Sequence, residues 1–449
     1  MLTRVEIDGF KTFENFVLDL RPFSAIVGPN ASGKSNLFDA IKFLSLLAQH
    51  DIRTAMQGLR GQPEELFRQT DAGPSTRMRF ALEVLLNPKG EDQFQTQYDI
   101  KAQRLRYEVQ LSWKVDAKGQ PRGIVVSHES CVPMAKKTDR TTLSSAANIR
   151  YSRRGSAFIS TDPNEVGEPS AFEIHQDGPQ RHGQPLRLPA GEASRTALST
   201  ITTAEFPHLY ALRDLLASIR FLEINPQAAR RPTDRFETRV LQADASNLAS
   251  VLARLKDETA TATRPNGVIA DISASLASLI PSVQSVDVFN DDAVKEYAFG
   301  ISTSGQLKFS SRVISDGTLR LLALLAVLED PRRRGVLCFE EPENGVHEGR
   351  IPALVGFLRE AVAMGDANDA RPIFQILINT HSPAVMESLR EDEIVVAETV
   401  SVMDRATGRQ ILKTRMTSSV TDNRLPLNPD TDITRAVVLN LLRRKSDAA

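Results

Sequence analysis

The sequence predicts an α/β fold with a β-rich extension of its first lobe and a separate helical lobe, and three stretches carry that reading. FSAIV at 23–27 runs into GPNASGKSN and then into LFDAIKFLSLLAQ, a short apolar strand, a glycine-rich loop and an apolar-periodic helix. VLCFE (336–340) and IFQILINT (373–380) are mainly apolar runs flanking the helical pattern RIPALVGFLREAVA. Such runs mark strands buried on both faces, as in parallel sheets. ISDGTLRLLALLAVLEDP (314–331) predicts a turn feeding a helix that is apolar on nearly every side, hence a buried one.

In chain order, LTRVEID (2–8) and FVLDL (16–20) alternate as strands and precede the buried strand at 23–27. From Arg77 to Pro133 the segments MRFALEVLL, RLRYEVQLSW and GIVVSHESCV read as further strands, so 1–133 forms a first lobe. Residues 134–195 are polar, with Gly, Pro and Ser throughout, and predict a variable insertion of loops and short strands. Helical periodicity in LYALRDLLASIRFL and SNLASVLARLKD places a helical lobe at 196–280. The strand pair KEYAFGIS and QLKFSS opens a second lobe at 281–400. In the tail, 401–449, the hairpin IVVAETVSVMDRATGRQILKTRM is completed, turning at DRATG, and a short helix follows. No internal repeat is present, and no heptad run is long enough for a coiled-coil arm.

Composition excludes several function classes. The 449 residues carry 55 Lys+Arg against 56 Asp+Glu, a net charge of -1, so a nucleic-acid footprint over the whole chain is not expected, although a local patch is compatible with it. The start, MLTRVEIDGF, reads as a strand rather than a signal peptide, and no apolar run approaches the roughly 18–20 residues of a membrane span. Cys131 and Cys338 are too few and too distant for a disulfide or metal framework. A cytoplasmic protein is expected.

The chemistry concentrates in short motifs. GPNASGKS (28–35) fits G-x-x-x-x-G-K-[ST], the P-loop pattern. Gly28 and Gly33 let backbone N–H groups converge on phosphate oxygens, Lys34 reaches the β- and γ-phosphates, and Ser35 offers a hydroxyl to Mg²⁺. A loop of this type implies ATP and Mg²⁺ and needs a second strand that ends in a carboxylate. VLCFEE supplies it: Glu340 on the metal side, and Glu341, one residue on, to orient or deprotonate the attacking water. Ser315 and Gly317 in ISDGT begin a helix and form a second anion site; a plain helix cap explains them equally well. One chain has no need of two γ-phosphate cradles, whereas two chains packed head to tail use both.

The order GPNASGKSN, ISDGTLRLLALLAVLEDP, VLCFEEPENGVH, LINTHSP resembles the ABC-type ATPase heads of the SMC and RecF-like class. It is most similar to predicted AAA-family ATPases that contain only this head. The opening IDGFKTF and the stretch ADASNLASVLARL add to the likeness, which is weak only in 134–195 and the final forty residues. The resemblance implies that Gly28, Asn30, Gly33, Lys34, Ser35 and Asn36 hold phosphate and metal, and that Ser315 and Gly317 are signature residues acting in trans across a homodimer. It also implies that Glu340 and Glu341 form the Walker B pair, Glu343–His347 the D-loop, and His381 the switch histidine facing the γ-phosphate. Lys11 in GFKTF is either a phosphate-side lysine, as in SMC-type openings, or a surface lysine. Gln69 is a candidate for the Q-loop glutamine. Glu340 and Asp316 depart from the Asp and Gly usual in ABC transporters and fit the RecF-like heads better.

Two functions follow as expectations. The first is an ATPase whose ATP-driven dimerisation gates a separately encoded nuclease or Toprim-type effector, as in bacterial anti-phage defence; the sixty or so residues after THSP show no metal-binding carboxylate cluster of a nuclease. The alternative is a RecF-like DNA-binding clamp in repair or recombination, with Arg230, Arg231, Arg235, Arg239 and Arg332–Arg334 as a phosphate-facing stripe.

Overall fold

The computed structural model describes the chain except residues 71–72, 116–120, 140–148, 153–154, 164–168, 178–183, 292, 306, 365–370, 404–409 and 419–449. The expected hairpin turn at DRATG and the short final helix lie outside the described residues. The chain forms two compact units. The first is Met1–Ile219 with Ala363–Gln375 and the segment from Glu391 onward; the second is Arg220–Val362 with Ile376–Arg390.

In the first unit, eight strands make an antiparallel sheet in the order Leu186–Pro189, Pro169–Ile174, Ile159–Pro163, Pro121–Pro133, Arg104–Val115, Arg77–Leu85, Leu2–Asp8, Phe16–Asp19. The β-rich stretch after Arg77 therefore does extend the opening strands, and the polar region at 134–195 adds three more strands at the far edge. The sheet's inner face is sealed by aromatic rings. Phe80 meets Phe10 and Phe43 edge-on at 5.4 and 5.7 Å, and Phe43 lies on the helix Lys34–Leu47. That contact packs the helix following the glycine loop onto the sheet. The strand Phe23–Val27, buried at every residue, runs parallel to Ile394–Met403, which is antiparallel to Gln410–Ser418. The late hairpin thus returns beside the strand that feeds the loop.

A carboxylate sits in the middle of this unit. Glu129 is fully buried on Pro121–Pro133 and accepts from the N–H groups of Ala197 (2.5 Å) and Leu198 (2.9 Å) and from the Tyr107 hydroxyl (3.0 Å). Burial pushes its carboxyl up to about 7, against the opposing pull of those hydrogen bonds.

In the second unit Arg220–Leu222 and Gly335–Glu340 pair in parallel, and residues 376–380, from the strand Phe374–Thr380, are next in the sheet order. Arg220–Leu222, at the end of the stretch LYALRDLLASIRFL expected to be helical, is a strand instead. The helix Pro207–Ala217 stops at Ser218, and Arg220–Leu222 pairs with Leu337–Phe339. A run this short fits either state, and tertiary pairing decides it. The helix Asp316–Leu328 is buried along nearly its whole length. A smaller antiparallel sheet, with Glu296–Thr303 at its centre, packs against the helices Leu248–Thr259 and Ile269–Leu279. Arg254 ties the first of these helices to the buried Asp330 just beyond the helix Asp316–Leu328. Among the described residues the longest helix has 14 residues, and no helix is long and apolar enough to cross a membrane.

Candidate nucleotide site: two half-sites

The glycine loop is held in its shape by backbone geometry. Gly33 has φ +91° and Gly28 φ +156°; a Cβ at Gly28 would meet the Ala397 carbonyl oxygen at 2.2 Å, and one at Gly33 would meet the Thr414 hydroxyl at 2.3 Å. Both contacts come from the late hairpin, so glycine is required by torsion and by space together. The helix Lys34–Leu47 begins at Gly33 with no side-chain cap and no acidic residue in its first turn, leaving its positive end available to an anion. Lys34 Nζ donates to the carbonyls of Gly28 (2.7 Å) and Pro29 (2.9 Å), inside the loop. The Ser32 hydroxyl is buried there with no partner, a polar atom that a bound phosphate would satisfy. These features fit a nucleotide triphosphate.

Of the other expected residues in this unit, Ser35 is half-buried at the helix start and Asn30 is exposed on the loop. Asn36 Nδ2 donates to Thr12 Oγ1 at 3.0 Å, and Thr12 Oγ1 lies 2.7 Å from Thr414 Oγ1. Thr399 adds a contact to the Ala31 carbonyl at 3.4 Å. Lys11, at φ +46°, places its amine on the buried Asp39 of the same helix at 2.6 Å, where Arg60 also pairs. Gln69 folds back onto its own loop, donating to the carbonyls of Glu64 and Phe67 at 3.0 Å each. Thr12, Thr399 and Thr414 were not singled out from the sequence. Thr12 and Thr414 are separated by 402 residues, and no local pattern signals their meeting.

The second unit brings together the remaining candidates. Glu340 emerges half-buried at the end of its strand, and Glu341 takes φ +49°, an uncommon conformation for a residue with a Cβ. That turn is fixed by its N–H donating to the Asn379 carbonyl at 2.9 Å. Its carboxylate is then gripped on both oxygens: Oε1 lies 3.0 Å from His381 Nδ1, and Oε2 accepts from Asn344 Nδ2 at 2.8 Å. Glu343 is buried, with one oxygen bonded to the Thr380 hydroxyl and the other unpartnered; burial raises its carboxyl above the ordinary range. Asn344 and Glu343 both belong to the PEN segment, and no local pattern separates their roles. Cys338 is buried in the strand, and burial pushes its thiol well up, so it is not a nucleophile.

Ser315 caps the buried helix, its Oγ accepting from the Thr318 N–H at 3.2 Å. Gly317 and Gly345 stand back to back: a Cβ on Gly345 would lie 2.4 Å from Gly317 Cα. The ISDGT turn therefore rests directly on the segment following Glu341. Arg230 anchors it from below, donating to the Ile314 carbonyl at 2.8 Å and pairing with Asp316. Of the expected basic stripe, Arg239 contacts Tyr297 and Arg332 pairs with Glu258. Arg231 is exposed.

Residues 23–387 match the family described as "AAA domain, putative AbiEii toxin, Type IV TA system". The chain is 52% identical over 44 residues to the chromosome partition protein Smc of Methanocaldococcus jannaschii, covering 10% of this chain and 4% of that protein. It is 30% identical over 90 residues to the DNA replication and repair protein RecF of Lactococcus lactis subsp. lactis, covering 20% of this chain and 25% of RecF. The matches thus span a quarter or less of these relatives. Among solved structures, an Smc head bound to the C-winged helix domain of ScpA aligns over 93% of this chain and 97% of its own, at 15% identity and a TM-score of 0.48. An Smc head with an extended coiled coil from Pyrococcus furiosus aligns over 93% and 96%, at 14% identity and a TM-score of 0.48. With the family match covering most of its length, the chain belongs to this AAA-domain family.

Proposed function

We propose that this protein hydrolyses ATP at sites shared by two copies of the chain, and that the ATP-bound dimer gates a partner effector in a defence role. The gripped carboxylate of Glu341 carries the reading. Held by His381 and Asn344, it is fixed in orientation before any water arrives, as a general base or water-positioning group must be. In this reading the Gly28–Asn36 loop binds the triphosphate, with Gly28, Asn30, Gly33, Lys34, Ser35 and Asn36 around it, and Lys11 buttresses the helix through Asp39. Ser35 and Glu340 are oxygen donors, the ligand type of a hard cation. Among the described residues no cluster of three His, Cys, Asp or Glu side chains forms a dedicated metal cage. Mg²⁺ shared between substrate phosphates and few protein oxygens suits such a site. When bound it supplies charge neutralisation on the β- and γ-phosphates.

Ser315 and Gly317 then serve the partner's nucleotide. The helix Asp316–Leu328 is buried along its length while its N-terminal turn keeps Asp316 exposed, which suits docking against a second subunit. Defence is supported by the family's toxin description; the effector is a separately encoded nuclease or Toprim-type protein. The partial RecF likeness supports a second reading, a DNA clamp, which requires DNA affinity that appears only with ATP and weakens steeply with salt. Glu341→Gln is the first test. It is expected to bind ATP, stall turnover and accumulate dimer in light scattering; a variant that remains monomeric at saturating ATP contradicts the shared site.

A further inference from the structure

We propose that Glu343 is a positioning residue for hydrolysis, latching the turn that carries Glu341 to the turn that carries His381; the inference rests on the role proposed for Glu341 above. The two side chains that grip Glu341 come from different parts of the chain. Asn344 lies three residues further along the same turn, whereas His381 follows the strand Phe374–Thr380. Both meet the carboxylate at once only while the two turns keep a fixed register.

One link between the turns is backbone, the Glu341 N–H on the Asn379 carbonyl at 2.9 Å. The other runs through side chains. The N–H of Ser382, next to His381, donates to Thr380 Oγ1 at 3.0 Å. An N–H can only donate, so the hydroxyl oxygen is the acceptor there, and its single hydrogen goes to Glu343 Oε1. Glu343 braces its own turn as well: its carbonyl accepts from the Val346 N–H at 2.9 Å, and the Glu341 carbonyl accepts from the Asn344 N–H at 3.1 Å. Thr380 and Ser382 thus flank His381 on one turn, and Glu343 sits beside Asn344 on the other. The latch joins the two grips on the carboxylate rather than the carboxylate itself.

Burial gives this link its stiffness. Thr380 is fully buried and Glu343 is 9% exposed, so no bulk water competes for the bond between them. Packing alone does not explain a glutamate here. Glu343 Oε2 is buried without a partner, a cost that an apolar side chain of similar size would not carry. What such a side chain would lack is the acceptor for Thr380.

The test measures ATP turnover by the full chain. Thr380→Val removes the hydroxyl and keeps the shape. It is expected to lower kcat about tenfold with little change in KM, because it loosens the aim of a group worth roughly 100- to 10,000-fold in rate. Thr380→Ser restores the hydroxyl and should restore kcat. In a Glu341→Gln background, Thr380→Val is expected to change the residual single-turnover rate by less than about twofold, since no base remains to be aimed. Because Thr380→Val leaves a buried carboxylate without its donor, Glu343→Met is the second variant: it fills the same space without a buried charge and should reproduce the loss in kcat. An undiminished tenfold loss in the Glu341→Gln background, a loss that falls on KM, or normal kcat in both folded variants overturns the latch. Near-normal turnover by Glu341→Gln alone is a separate result, which removes the role of Glu341 and the latch together.

Discussion

The two half-sites are built by opposite means. The glycine loop owes its form to backbone: positive φ at Gly28, Ala31 and Gly33, an uncapped helix start and hairpin atoms pressed where two side chains would be. The acidic half owes its form to side chains: a carboxylate gripped by an imidazole and an amide, and a serine-capped turn pinned by Arg230. Backbone cradles suit a ligand whose charge is spread over many oxygens and bound tightly in the ground state. Side-chain grips suit a group that must point one way as charge develops. In the proposed reading the first unit binds the nucleotide and the second does the chemistry.

Mutations that break the first half should abolish binding, and those in the second should spare it. Lys34→Ala is expected to reduce phosphate release by at least about a hundredfold, because a principal phosphate contact is lost. Ser315→Arg should stop turnover to a similar extent while leaving nucleotide affinity, measured by fluorescence anisotropy, nearly unchanged. Asn344→Ala should lower kcat by about tenfold with little change in KM, since it loosens the orientation of the base and not the binding of substrate. A KM effect larger than the kcat effect would blur the division of labour. Thr414→Ala sharpens it from the other side. Removing the hydroxyl that meets Thr12 beside Gly33 should weaken nucleotide affinity by only a few-fold, about 1 kcal/mol, and leave kcat alone.

A further effect, on stability, concerns neither half. Glu129 has its folded carboxyl raised to about 7 from the ordinary 4.5, so the folded chain holds a proton there that the unfolded chain releases. Between pH 4.5 and 7 this group makes stability fall as pH rises, by on the order of 3 kcal/mol. Glu129→Gln should flatten that part of a urea-denaturation pH profile. A profile of unchanged slope would show that the three donors keep the carboxylate ionised.

The motifs proposed for both half-sites are legible because each is short and contiguous in the chain. GPNASGKSN, ISDGT, VLCFEE and THSP are each read within ten residues, and the alternating strands of 2–133 follow from a period-two pattern. What escaped is the long-range part. The hairpin at 394–416 was recognisable as a hairpin, but nothing in it announces that Ile394–Met403 pairs with Phe23–Val27 or that Thr414 presses on Gly33. Arg230 was read as one of a basic stripe, whereas Asp316, 86 residues away, claims it. Arg220–Leu222 changed from helix to strand because its partner, Leu337–Phe339, lies over a hundred residues on. Local chemistry is written locally; the contacts that brace it are not.

The central claim, that each nucleotide is held by one copy and capped by another, is tested most directly by mixing two inactive variants. Lys34→Ala and Ser315→Arg each spoil both sites of their own homodimer, but a mixed dimer retains one intact site. An equimolar mixture should recover about a quarter of wild-type turnover, since half the dimers are mixed and each has one working site of two. Failure to recover activity, with both variants folded and dimerising, contradicts the account, as does full turnover by Ser315→Arg on its own.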